Sequence, residues 1–98
     1  IEEKASLLIR KTGGKASFAQ VAGYHWATCL NVNSGLVHGI PRDYKLKEGD
    51  LLNIDIGLLY KGFHTDTAKS FIVGDKSKYS KKRKFLNAGQ KALGKAIE

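Results

Sequence analysis

The chain has 98 residues, with 17 Lys or Arg against nine Asp or Glu and a net charge of +8. That length fits one small domain, and the single cysteine, Cys29, excludes both a disulfide framework and a Cys-rich zinc site and suits a reducing compartment. No apolar run approaches the roughly 20 residues needed to span a bilayer, so no transmembrane helix is predicted.

Residues 1–11 read as a helix, with Ala5, Leu8 and Ile9 on one face and Gly13-Gly14 as its stop. The pattern opens at Ile1 without a cap, and Met is absent throughout, which predicts a cut start or a piece of a longer chain. Short strands are expected over 17–22 and 27–33. Asn33-Ser34-Gly35 is a turn signal, followed by a tight apolar loop from Leu36 to Pro41, the only proline. A polar turn, Leu46 to Asp50, leads into two strands of about 51–60 and 63–73 joined by Lys61-Gly62. Lys is not ideal in such a turn, which wants a positive φ. Gly74-Asp75 ends the hairpin. From about Lys81 to Glu98, Phe85, Leu86, Ala88, Ala92, Leu93, Ala96 and Ile97 recur with helical period.

Within the hairpin, Asp55 and Asp66 are the only acids in an otherwise apolar run. Carboxylates are depleted in strands, and burying one unpaired costs several kcal/mol. With Tyr60 paired to Phe63, Gly57 falls opposite Asp66 and Asp55 becomes its diagonal neighbour on the same face, roughly 7–8 Å away. Two carboxylates reaching inward from there suit a pair of divalent metals about 3.5–4 Å apart. Gly57, without a side chain, leaves room for the ions. A register shifted by one residue would put the acids on opposite faces. The alternative is a pair of exposed aspartates on the solvent side of an edge hairpin.

Three histidines differ in promise. His38 lies between Val37 and Gly39 in the loop stiffened by Pro41, where it is placed either to donate to a reacting carbonyl or to satisfy backbone groups. His64 shares the Asp66 face by parity and is expected as a metal ligand or the neighbour of one. His25, between Tyr24 and Trp26, reads as part of an aromatic cluster. From Lys76 to Lys84, six basic residues occupy nine positions with no acid, which suits either a solvated lead into the last helix or contact with a polyanion.

Three stretches taken together are more specific than any of these features alone. Gly23-Tyr24 through Cys29 to Asn33, then His38-Gly39-Ile40-Pro41, then Glu48-Gly49-Asp50 with Asn53 to Gly57 and Gly62 to Lys69, resemble the type I, bacterial-style methionine aminopeptidases of metallopeptidase family M24. The resemblance covers essentially the whole chain. It implies an α+β pita-bread fold, with residues 1–98 as one partial domain: an antiparallel sheet with flanking helices. It implies that Asp55 is a bidentate ligand to one of two divalent ions (Co, Mn, Fe, Zn or Ni), that Asp66 bridges both, and that His38 contacts substrate and steadies the transition state. Tyr24, Cys29 and Phe18 would line the methionine side-chain pocket. The implied activity is metal-assisted removal of N-terminal methionine from nascent chains in the cytoplasm by a monomeric enzyme, with the ribosome as a further partner. One His and two Glu required by the family have no match after Asp66, so the expectation is the N-terminal half of the catalytic domain, inactive alone. The rival expectation is an inactive relative that binds ribosome or nucleic acid through the basic run.

Overall fold

The computed structural model describes residues 1–98 and follows the predicted order of elements with one exception. Helix α1 (Glu2–Lys11) leads to a two-residue strand β1 (Lys15–Ala16), a 3-10 turn at Phe18–Gln20, and strand β2 (Thr28–Val32). Strands β3 (Leu51–Tyr60) and β4 (Phe63–Ile72) make the hairpin, and a second 3-10 turn at Lys76–Lys78 precedes helix α2 (Ser80–Ile97).

The hairpin register is the predicted one. Tyr60 pairs with Phe63, Gly57 with Asp66 and Asp55 with Ala68. Lys61 and Gly62 both take left-handed backbone angles, φ 49° and 86°, as a two-residue turn with the right twist requires. β4 follows β3 along its whole length, and β1 and β2 lie end to end on the other edge. This arrangement overturns the strand expected over 17–22. β1 pairs with Leu58 and Leu59, and β2 already occupies Leu52 to Ile56. Only Gly57 remains between them, so after Ala16 the chain cannot continue along the edge. It turns instead, with Ser17 helical (φ −63°, ψ −46°) and its N–H donated to the Gly57 carbonyl at 2.9 Å.

The alternation of β3 separates two faces. Ile56 and Leu58 meet α1, where Leu8, Ile9 and Thr12 close a small cavity of about 210 Å³ with Thr65 and Thr67 of β4. Ala5 and Ile9 are the buried residues of that helix. Its first turn carries Glu2 and Glu3 and its last Arg10 and Lys11, which complements the helix dipole. Glu2 also ties α1 to β2. Its carboxylate accepts from the N–H groups of Ala27 (2.7 Å) and Thr28 (3.0 Å), from the Ser6 hydroxyl (3.1 Å) and from the Thr28 hydroxyl (2.5 Å). Thr28 is fully buried, and these bonds satisfy the polar atoms that its burial takes from water.

The long connection from β2 to β3 is closed by Asp50, which is buried. Its carboxylate accepts from Asn33 Nδ2 at 2.9 Å, Lys47 N–H at 2.9 Å and Tyr44 hydroxyl at 3.1 Å. Asn33 returns a bond by accepting from Leu51 N–H at 3.0 Å. These bonds to Asp50 hold its carboxyl below the usual carboxylate range, the Asn33 amide contributing most.

α2 joins the sheet only at its base. Tyr79 lies so close to Gly49 that a Cβ there would sit 2.7 Å from the ring, and Lys82 donates to the Gly49 carbonyl. Lys78 pairs with Glu48 at 3.0 Å on the surface, a contact worth about 0–1 kcal/mol. No residue of α2 is buried, and Phe85, Leu93 and Ile97 stay exposed. The basic run thus lies partly in the second 3-10 turn and partly in the first turn of this helix. No helix is long and apolar enough to cross a membrane.

Candidate metal centre

The face opposite α1 carries the two aspartates. Asp66 is opposite Gly57, and Asp55 is two positions further along β3. Asp66 is exposed and Asp55 half-buried. The Asp55 carboxyl is pushed above the usual carboxylate range, chiefly by burial and then by the Asp66 carboxyl beside it. Its Oδ1 atom is buried and has no hydrogen-bond partner. A buried anionic oxygen without a donor is costly, and a cation would relieve it. Two adjacent hard oxygen ligands suit a divalent ion. No third His, Cys, Asp or Glu joins the pair in a cluster.

β2 brings the next group. Cys29 is directly opposite Asp55 and is buried, so its thiol shares the aspartates' face. The Tyr24 hydroxyl donates to the Thr28 carbonyl at 2.7 Å and lies 3.2 Å from Cys29 Sγ. Burial, then the thiol, raise the tyrosine's pKa, and the charges of Glu2 and Asp55 add to this. Tyr24 therefore stays a neutral donor with an apolar ring, suited to line a side-chain pocket. Its ring meets Trp26 edge-on at 5.3 Å, with His25 tilted against Trp26 at 6.1 Å, the expected aromatic cluster.

Gly57 does not leave an open space for ions. A Cβ there would stand 2.7 Å from Phe18 Cε1 and 2.8 Å from Ser17 Cβ, so the Phe18 segment lies across the glycine. Phe18 is thereby brought to the Asp66 side of the hairpin. His64, expected as a metal ligand or the neighbour of one, shares the Asp66 face, and its Nδ1 is in a 2.6 Å hydrogen bond with Ser17 Oγ. Sequence reasoning missed Ser17. The available signal was a serine just before the Phe18 turn, opposite a glycine in the middle of a strand.

His38 lies in the loop that follows the outer edge of β2. The Gly39 carbonyl accepts from Leu30 N–H at 2.8 Å, and Gly39 has no room for a Cβ against the Leu30 carbonyl. His38 itself takes a left-handed φ of 53°, an unusual angle for a non-glycine residue. It is exposed, and it is close enough for its positive charge to favour ionised Asp55. The six expected residues thus converge on one side of the sheet, although not in an enclosed cavity. A cavity of about 1000 Å³ lies elsewhere, between Glu2, Trp26, Leu30 and Pro41, and none of the six lines it. The site is an open face, and its electrostatics rather than its depth single it out.

Comparison with known proteins identifies the family and the fold. The family model for metallopeptidase family M24 matches residues 1–98. The chain is 35% identical to the methionine aminopeptidase of Clostridium perfringens and 37% identical to methionine aminopeptidase 1 of Bacillus subtilis, each over all 98 residues. It spans 39% of the length of either relative. The crystal structure of methionine aminopeptidase from Rickettsia prowazekii superposes with a TM-score of 0.92 at 28% identity, covering 99% of this chain and 38% of that one. The match carries the pita-bread fold with it.

Proposed function

The chain belongs to metallopeptidase family M24, and on that premise we propose that it supplies part of an aminopeptidase site that removes N-terminal methionine from nascent proteins in the cytoplasm. Residues 1–98 would form the first part of the catalytic domain. Asp55 and Asp66 would hold the divalent metal that the family uses. The observation that carries this reading is the unpartnered, buried Oδ1 of Asp55 beside a second carboxyl. These two carboxylates would hold a divalent cation, which would supply Lewis-acid polarisation of a peptide carbonyl.

The protein's own groups do the rest. His38, held at the β2 edge by its Gly39 neighbour, presents an imidazole to the substrate carbonyl. Tyr24, Cys29 and Phe18 offer an apolar, sulfur-bearing surface to an unbranched side chain, and favourable sulfur–aromatic contact suits methionine. The exposed Asp66 side leaves the face open to a peptide end.

Isothermal titration of Mn²⁺ or Co²⁺ into the chain tests the metal assignment. Two carboxylates fix neither geometry nor dryness, so binding should be weak and abolished by either D55N or D66N. Unchanged binding in both variants would remove the aspartates from the site. In the active enzyme, either substitution should abolish release of methionine from a Met-initiated peptide.

A further inference from the structure

Ser17 sits at the start of a 3-10 turn, where a serine hydroxyl ordinarily caps a backbone N–H. Here it makes no cap. Its oxygen reaches instead to His64 Nδ1 at 2.6 Å, from the β1 edge of the sheet across β3 to β4. The crossing is possible because Gly57, directly beneath, has no Cβ: one would stand 2.8 Å from Ser17 Cβ and 2.7 Å from the Phe18 ring. Ser17 N–H also bonds the Gly57 carbonyl at 2.9 Å. Three contacts thus fasten a short, irregular segment at the position opposite Asp66. The next residue in that segment is Phe18. Its ring rests on the glycine, and the turn itself is held by two backbone bonds and by Gln20 Nε2 donating to the Ala16 carbonyl at 3.1 Å, none of which touches the ring.

We propose that Ser17 and His64 form a latch that fixes Phe18 over Gly57 and so sets the surface on which the substrate's first side chain rests. The latch makes the pair positioning residues for specificity, not catalytic residues. The inference rests on the aminopeptidase reading for its substrate and on hydrogen bonding alone for its mechanism. It gives β4 a second task beside carrying Asp66. It also explains why a histidine two residues from a metal-binding aspartate has a ring nitrogen committed to a serine.

The test has two arms. In the 98-residue chain, S17A, H64A and the double variant are compared by amide hydrogen exchange. Gln20 and Val21, whose N–H groups bond to Ser17 and Phe18 carbonyls, should exchange about three- to ten-fold faster in each single variant and no faster in the double. Amides of the β3–β4 ladder near Tyr60 and Phe63 should not change. In the active enzyme, each variant should raise KM for a Met-initiated peptide by a similar factor and narrow the preference for Met over Leu, with kcat within about two-fold, and S17T should restore both. Additive exchange effects, or a loss of kcat at unchanged KM, would overturn the latch. If no peptide is cleaved by any preparation, the aminopeptidase reading fails, while the exchange arm still decides whether the pair holds the segment.

Discussion

Cys29 of β2 lies directly across from Asp55 of β3, so a buried thiol and a half-buried carboxyl share one rung of the sheet. The thiol offers that carboxylate no strong donor, and Asp55 Oδ1 stays without a partner. Ionised Asp55 is therefore a liability at Oδ1 that a bound cation would offset. D55N should raise the Tm of the chain at neutral pH in the presence of a chelator. It should also remove any rise in Tm that millimolar Mn²⁺ gives the parent chain. A lower Tm for D55N under chelation would mean that the carboxyl is satisfied in some other way.

His38→Ala should lower kcat of the active enzyme by roughly 10²–10⁴ if the imidazole handles a proton or steadies developing charge. Metal content, measured on the same preparations, should not change. A kcat within a factor of two would place His38 outside the chemistry.

Gly57→Ala should destabilise the fold by about 1–3 kcal/mol, the usual range for overpacking, because the new methyl meets the Phe18 ring. Combining it with Phe18→Ala should recover part of that loss. Urea unfolding of the two single variants and the double measures the coupling, and strict additivity would contradict the contact.

Lys61→Asn should stabilise the chain by about 0.5–1 kcal/mol. Lys61 holds a left-handed φ of 49°, which a long side chain adopts at a cost and Asn tolerates. Thermal unfolding gives the comparison directly.

The acid limb of stability should depend on Asp50. Its folded pKa lies below the ordinary aspartate value because Asn33, the Lys47 N–H and Tyr44 favour the ionised form. A depressed folded pKa contributes stability that is complete above the unfolded value of about 4 and is lost as pH falls through the folded one. Asp50→Asn should flatten the decline of Tm below about pH 4 while lowering Tm at neutral pH. An unchanged acid limb would contradict the assignment.

Much of this was legible from residue order. The hairpin register follows from one turn, since Lys61-Gly62 determines every cross-strand pair and hence the shared face of Asp55 and Asp66. Both helices follow from apolar period. The Phe18 segment was not legible, because its conformation is decided by competition: β1 and β2 take the same edge of β3 and leave it one glycine wide. No local propensity encodes that crowding. The same segment gives His64 a partner 47 residues away, a contact with no sign in sequence. Glu2 was missed for a similar reason. An acid in the first turn of a helix reads as dipole complement, and only the fold shows that it also binds the start of β2.

The two-residue turn has a consequence for the order in which the site assembles. Asp55 and Asp66 are separated only by a local hairpin, a structure that closes in about 1–10 μs. Tyr24 and Cys29 reach the same face only after the chain from Asn33 to Asp50 has closed, a slower search because the loop is longer. An isolated hairpin persists poorly in water, so the carboxyl pair is formed early, lost and re-formed until β2 and α1 pack against it. A cation present during folding meets that pair before the pocket exists, and it favours the one register that brings both acids together. Refolding with Mn²⁺ should therefore be faster than without it, and the gain should vanish in D66N.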